Sequence, residues 1–388
     1  MNKTLHIILF LCVWLGCSTC IDEYSPELKG YDNLLVVDGF ISDQPGPYTV
    51  TLSRSVRPGS SGFIPETDAE VKISDKQGNE VYLAEQEDGI YLTPESAGFR
   101  GVPGKKYRIE IKTINGSLYV SDFAMLMPSV EIDRVYAELE SVPAEDEIYD
   151  LRGYQFYMNT KESEGESRYF MMLLSATYEY QADFKVRFYY NGNLRQFPNP
   201  DSLKTCWRTY TVQNIFTAST EELNTQNLER FPLHFVDTET RELFIRYSLQ
   251  VSMFTLSKQN WEYWDKLREL QENQDGLFTR QPYQVRGNVV CVSNPDEIVL
   301  GEFTVAGITE KRIFVDRPPF SVQFHFPVCE ITEVDVENFG MISLSPPNTW
   351  PVYATSTSGG AGALPPQECM DCRQSGGTIV KPEFWIDE

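Results

Sequence analysis

The chain has 388 residues, 56 acidic against 33 basic, three histidines and a formal net charge of −23. Hydrophobic residues make up 41% and aromatics 13%, too apolar for a disordered chain and enough for a buried core. The acid excess excludes charge-driven binding to nucleic acid or an anionic lipid surface, since both need a basic face.

Residues 1–19 place Lys3 ahead of an apolar run from Leu5 to Leu15. About 11 apolar residues fall short of the roughly 20 that a membrane-spanning helix needs, so the segment reads as a cleaved signal. Gly16-Cys17 and Ser18-Thr19-Cys20 each set a small residue before a cysteine, which resembles a lipobox. In a lipobox the cysteine is acylated and becomes the new N-terminus. Cys20 is the favoured site and Cys17 the alternative, because Ile21-Asp22-Glu23 puts acids directly after Cys20. Such acids resemble the surface-sorting signal of some Gram-negative lipoproteins. Residues 20–33 then form a lipidated tether, and about 12 extended residues reach up to roughly 40 Å. Several acyl chains anchor stably where one does not, so the expected location is the outer membrane, lipid-anchored and facing the cell surface.

From 34 to 128 the pattern is of short strands. Leu34 to Val37 is a compact apolar run, and Tyr48, Val50 and Leu52 alternate with polar neighbours. Val71 and Ile73, Val81 to Leu83, Tyr91-Leu92, and Tyr107, Ile109 and Ile111 follow at regular spacing. Asn115-Gly116 is a two-residue hairpin signal before Leu118 and Val120. The expected unit is an immunoglobulin-like β-sandwich ending at Pro128.

Residues 129–388 read as a larger β-rich domain. Val130, Ile132 and Val135 open it, Tyr169 to Leu174 suits a central strand, and Phe184 to Tyr190 alternates before an Asn191-Gly192 turn. Arg246 to Phe254 is a further strand. Ser257 caps an expected helix near 258–273, in which Trp261, Trp264, Leu267 and Leu270 share a face. Strands are expected again at Val285 to Val292, Ile298 to Val305 and Arg312 to Val315, ahead of a cysteine-containing tail. The whole is mainly β with one docked α-helix.

With Cys20 as anchor, Cys206, Cys291, Cys329, Cys369 and Cys372 remain, an odd number that allows at most two disulfides. Cys369-x-x-Cys372 lacks the strand-to-helix setting of a redox pair. Together with Cys329 and His325 it has the spacing of a Cys3His zinc site, against which stand disulfides clipping the tail to the body. Glu145-Asp146-Glu147 and Asp150 lack the glycine-punctuated alternation of a calcium loop. His234, in a strand-like run, reads as a packed or hydrogen-bonded imidazole. Tyr178, Tyr180, Tyr189 and Tyr190 are candidate ligand-facing aromatics, since alternation exposes some of them. Trp261, Tyr263 and Trp264 read as packing residues.

Several runs together resemble the lipoprotein family called domain of unknown function 4249. They are Cys20 to Pro26, Val36-Val37-Asp38-Gly39, Cys206-Trp207, Leu256-Ser257, Tyr263-Trp264 and Gly276-Leu277-Phe278. Gln281-Pro282, Val285 to Asn288, Asn294 to Glu297, Val299 to Gly301, Phe303 and Lys311-Arg312 continue the pattern. Cys369 to Arg373, Gly376-Gly377 and Lys381 to Trp385 complete it. The resemblance implies a lipoprotein partnered with a TonB-dependent outer-membrane transporter, and offers no established activity or catalytic residue. Cys291 falls outside the family's pattern, which makes it the candidate unpaired thiol. The expectation is a non-enzymatic binding or accessory subunit of nutrient uptake, with no cofactor or metal and no nucleic-acid partner. A structural or adhesive envelope lipoprotein is the alternative, and an extracellular hydrolase has no sequence support.

Overall fold

The computed structural model describes residues 33–56, 62–143, 150–162, 167–223, 225–272 and 285–386. Cys17, Cys20 and Glu145-Asp146-Glu147 lie outside them, as do Gly276-Leu277-Phe278 and Gln281-Pro282.

The first body contains β1 (Leu35–Ser42), β2 (Thr49–Arg54), β3 (Ile64–Pro65), β4 (Glu70–Asp75), β5 (Glu80–Glu87), β6 (Ile90–Leu92), β7 (Lys106–Lys112), β8 (Leu118–Ser121) and β9 (Ala124–Met125). Hydrogen bonding runs β1-β2-β6-β5 and then β5-β4-β7-β8, the two four-strand paths meeting at β5. These are the strand neighbours of an immunoglobulin-like sandwich. The alternation that predicted the strands sets what is buried: Val50 and Leu52 of β2, Ile109 and Ile111 of β7, and Tyr91 of β6 meet in one core. Each such aliphatic side chain contributes roughly 1.5–3 kcal/mol on burial. The chain reverses at Asn115-Gly116 as expected, but through a three-residue loop, Ile114 to Gly116, closed by the Thr113 N–H on the Ser117 carbonyl at 3.0 Å and with Gly116 at φ 87°.

The second body contains β10 (Ile132–Val142), β11 (Leu151–Thr160), β12 (Tyr169–Gln181), β13 (Phe188–Tyr190), β14 (Leu194–Gln196), β15 (Thr205–Thr211), β16 (Phe216–Ser219), β17 (Phe231–Asp237) and β18 (Arg246–Leu256). Helix α1 (Lys258–Glu272) follows, then β19 (Val289–Cys291), β20 (Leu300–Asp316), helix α2 (Glu333–Gly340), β21 (Val352–Ser356) and β22 (Gly362–Ala363). A sheet of β15, β12, β18 and β20 is covered on one face by the three-stranded layer β10-β11-β17. Its other face carries α1 through Trp261 and Trp264.

Pro128 ends the expected sandwich, yet the sandwich is completed by strands from far beyond it. β19 pairs with β8, and residues 300–306 of β20 run parallel to β1. Val289, Cys291, Val299, Phe303 and Val305 share the first body's core. The two strands expected at 298–305 and 312–315 are one 17-residue strand, whose second half pairs with β18. Gly307 makes this possible: a Cβ there would sit 2.5 Å from the Met127 carbonyl oxygen and the Ser129 nitrogen, where the connection between the bodies crosses the strand. A second helix, α2, was also not expected. Thr332 and Asp335 cap it reciprocally, a capping box with Asp at the third position.

Candidate functional site

The tail is fixed first, because it decides the fate of the cysteines. Cys206 is bonded to Cys372 and Cys329 to Cys369, while Cys291 is a buried free thiol. The three sulfurs of the spacing-based zinc reading are therefore spent on the two disulfides, and His325 pairs through Nδ1 with Glu239 at 3.0 Å. Among the described residues no three His, Cys, Asp or Glu side chains gather in metal-binding geometry. Beyond the cysteines, Trp385 is buried against Trp207 and Phe314, so the chain end docks back on the large sheet.

The aromatic expectations need correction. Along β12 the even-numbered side chains Phe170, Met172, Leu174, Ala176, Tyr178 and Tyr180 all point into the main core. Tyr178 and Tyr180 are therefore not ligand-facing: Tyr180 donates to the Cys372 carbonyl, and Tyr178 packs edge-on to Tyr210. Tyr189 and Tyr190 are half-buried and packed against Phe197 and Trp350. Trp261 and Trp264 pack as expected, and Trp264 Nε1 donates to Thr304 Oγ1 at 3.1 Å.

The row of core tyrosines leads to a polar cavity that the sequence did not announce. Of the cavities present, a groove of about 630 Å³ along β1 and the loop after it is larger, but its charged lining groups are only Asp38 and Glu310. Glu310 is already bonded to Ser252. An imidazole without a partner among the described residues meets two carboxyl groups instead in a cavity of about 350 Å³ between two sheet edges, where β15 and β17 approach. Tyr210 and Thr211 come from the end of β15, and His234 to Asp237 from β17. The connection to β18 supplies Thr240 and Glu242, and Gln213 and Asn214 form the rim.

The inner wall is locked in place. Tyr210 donates to Glu242 Oε2 at 2.6 Å, and its oxygen lies 3.4 Å from that of Tyr247, a fully buried residue packed at a tilt against Phe156. Gln271, in the last turn of α1, accepts from the Ile215 N–H and donates to the Gln213 carbonyl, holding the rim loop from outside. Burial pushes the Glu242 carboxyl above its usual range, and the bond from Tyr210 offsets that only in part. Burial first, and then the neighbouring Tyr247 and Glu242, push the Tyr210 phenol up, so it stays a neutral donor. His234 is held below its ordinary range by burial alone, which keeps the imidazole neutral. It makes no hydrogen bond among the described residues, so one ring donor and one acceptor are free. The lining contains no Ser, Cys, Lys or Arg. This is the composition of a hydrogen-bonding pocket.

No curated protein matches the chain. Among solved structures, trypsin-activated alpha-2-macroglobulin from Escherichia coli matches at 10% identity over 60% of this chain, with a TM-score of 0.17, too loose a superposition to equate folds. The chain spans 15% of that protein's length. The family described as "Domain of unknown function (DUF4249)" matches residues 21–312, most of the chain and both bodies of the fold. The protein belongs to the DUF4249 family.

Proposed function

We propose that the protein is an outer-membrane surface lipoprotein, anchored at Cys20, that acts as a non-enzymatic binding subunit of a TonB-dependent nutrient-uptake system. The observation that carries the binding part is the cavity between β15 and β17, where a neutral, unpartnered His234 faces fixed polar groups. Two disulfides in the body support an oxidising compartment, in keeping with the signal and the lipobox-like cysteines. The chain's own charge of −23 cannot hold it to an anionic membrane, so anchoring falls to the acyl chains.

Two experiments test this reading. A C-terminal tag should bring a barrel transporter through purification in gentle detergent, and its reproducible absence defeats the uptake role. Cys20→Ala should leave the membrane fraction; a variant that stays there refutes the anchor.

A further inference from the structure

We propose that the cavity between β15 and β17 takes a neutral polyhydroxylated ligand, a single sugar ring or the terminal ring of a saccharide. The proposal deepens the binding reading above and rests on it. Each sugar hydroxyl both donates and accepts, so its site needs both kinds of group within a short radius and no fixed cation. The lining meets that need. Asp237 and Glu242 each keep one oxygen to accept, the other holding the Glu239 N–H or the Tyr210 phenol. His234 offers one donor and one acceptor, Gln213 keeps its oxygen and one N–H beside its bond to the Thr211 carbonyl, and the Asn214 amide offers both. The rings of Tyr210 and Phe235 add apolar faces for the ring C–H groups.

Charge narrows the choice. With two carboxyl groups and no Lys or Arg in the lining, the cavity repels an anion. A bound amine would find both carboxylates already partly engaged, because Glu242 Oε2 holds the Tyr210 phenol and Asp237 Oδ1 holds the Glu239 N–H. The volume of about 350 Å³ lies at the low end of small-molecule sites, which run from roughly 300 to 1,000 Å³. Tyr210 is fixed by Tyr178, Tyr247 and Glu242 before any ligand arrives, which lowers the ordering cost of binding.

The full-length lipoprotein in detergent micelles is titrated calorimetrically with glucose, galactose, mannose, xylose, maltose and cellobiose. At least one binds, with an affinity that does not change between low and high salt. His234→Ala weakens it about tenfold and the rim variant Gln213→Ala about threefold, as expected of neutral hydrogen bonds. Thermal melting of each variant separates a lost contact from a lost fold, and Gln213→Ala carries the test if His234→Ala does not fold. Failure of every sugar overturns the proposal, as does salt-sensitive binding of putrescine that Glu242→Gln abolishes. A bound sugar with no transporter in the purified material leaves the ligand class standing and defeats the uptake role; a transporter without sugar binding does the reverse.

Discussion

Asn260 in the first turn of α1 donates its side-chain amide to Glu302 of β20, and both residues are buried, at 0% and 4% exposure. The same amide reaches the Phe303 carbonyl at 3.2 Å, and Glu302 Oε2 accepts the Asn288 N–H at 2.8 Å. Asn288 in turn exchanges two bonds with the Phe303 backbone. One carboxyl thus ties the helix of the second body to the strand and loop that complete the first.

That carboxyl should make stability depend on pH. Burial pushes Glu302 up to about 8 from an ordinary 4.5, although the Asn260 and Asn288 bonds pull the other way. The folded protein therefore holds a proton that the unfolded chain releases above about 4.5. The group's contribution is fully present below that value, falls as pH rises, and is gone above about 8, with a slope of at most about 1.4 kcal/mol per pH unit. Glu302→Gln cannot ionise, so its melting temperature relative to the parent should climb between pH 5 and 8.5. Parallel melting curves for the two proteins would refute the assignment.

The loop that delivers Asn288 depends on a neighbour. A Cβ on Gly287 would lie 1.6 Å from the Gly301 carbonyl oxygen, a backbone atom that cannot move aside. Gly287→Ala should cost about 3 kcal/mol or more and loosen the Asn288–Glu302 contact. Gly340→Ala, where a Cβ meets nothing within 4 Å, is the control and should melt within about 0.5 kcal/mol of the parent. Chemical denaturation of the two variants settles the contrast, and equal losses would mean that the close approach does not constrain the loop.

The disulfides make a chemical prediction as well as an energetic one. Denatured, unreduced mature protein should take up alkylating reagent at Cys291 and at none of Cys206, Cys329, Cys369 or Cys372. Replacing Cys206 and Cys372 by Ala opens a loop of 166 residues, worth up to about 5 kcal/mol in the chain-entropy account. The loop between Cys329 and Cys369 spans 40 residues and is worth about 4 kcal/mol by the same account. Peptide mapping that finds label on any of the four paired cysteines would contradict the connectivity.

The elements that were legible in the sequence are those whose pattern is local. The period-two burial of β7, the reversal at Asn115-Gly116 and the tryptophan face of α1 each follow from residues a few positions apart. What was not legible depends on distant partners. The pairing of β19 with β8 joins residues about 170 apart, and nothing in Val289–Cys291 names its neighbour. Tyr178 and Tyr180 alternate like any half-buried strand, and only the covering layer β10-β11-β17 makes their face internal. The cavity was invisible for the same reason: Tyr210, His234 and Glu242 come from two sheet edges and a connection, with no motif linking them. His234 could be read as a strand residue, but not as one left without a partner.

The Tyr210–Glu242 bond can be measured directly. Removing the phenol oxygen leaves an enclosed carboxyl without its donor, at a cost of about 1–3 kcal/mol, more when the carboxyl is ionised. Because burial already holds Glu242 above its usual range, losing the donor should raise it further, so Tyr210→Phe loses stability more steeply as pH rises from 4 to 8. In a Glu242→Gln background nothing ionises, and Tyr210→Phe should then cost about the same at both pH values. A double-mutant cycle by chemical denaturation at pH 4 and pH 8 should show coupling that grows with pH by about 1 kcal/mol. Coupling that is absent, or identical at the two pH values, would mean that the phenol packs beside the carboxyl without stabilising its charge, and that the wall of the cavity is held by the ring of Tyr178 and the hydroxyl of Tyr247.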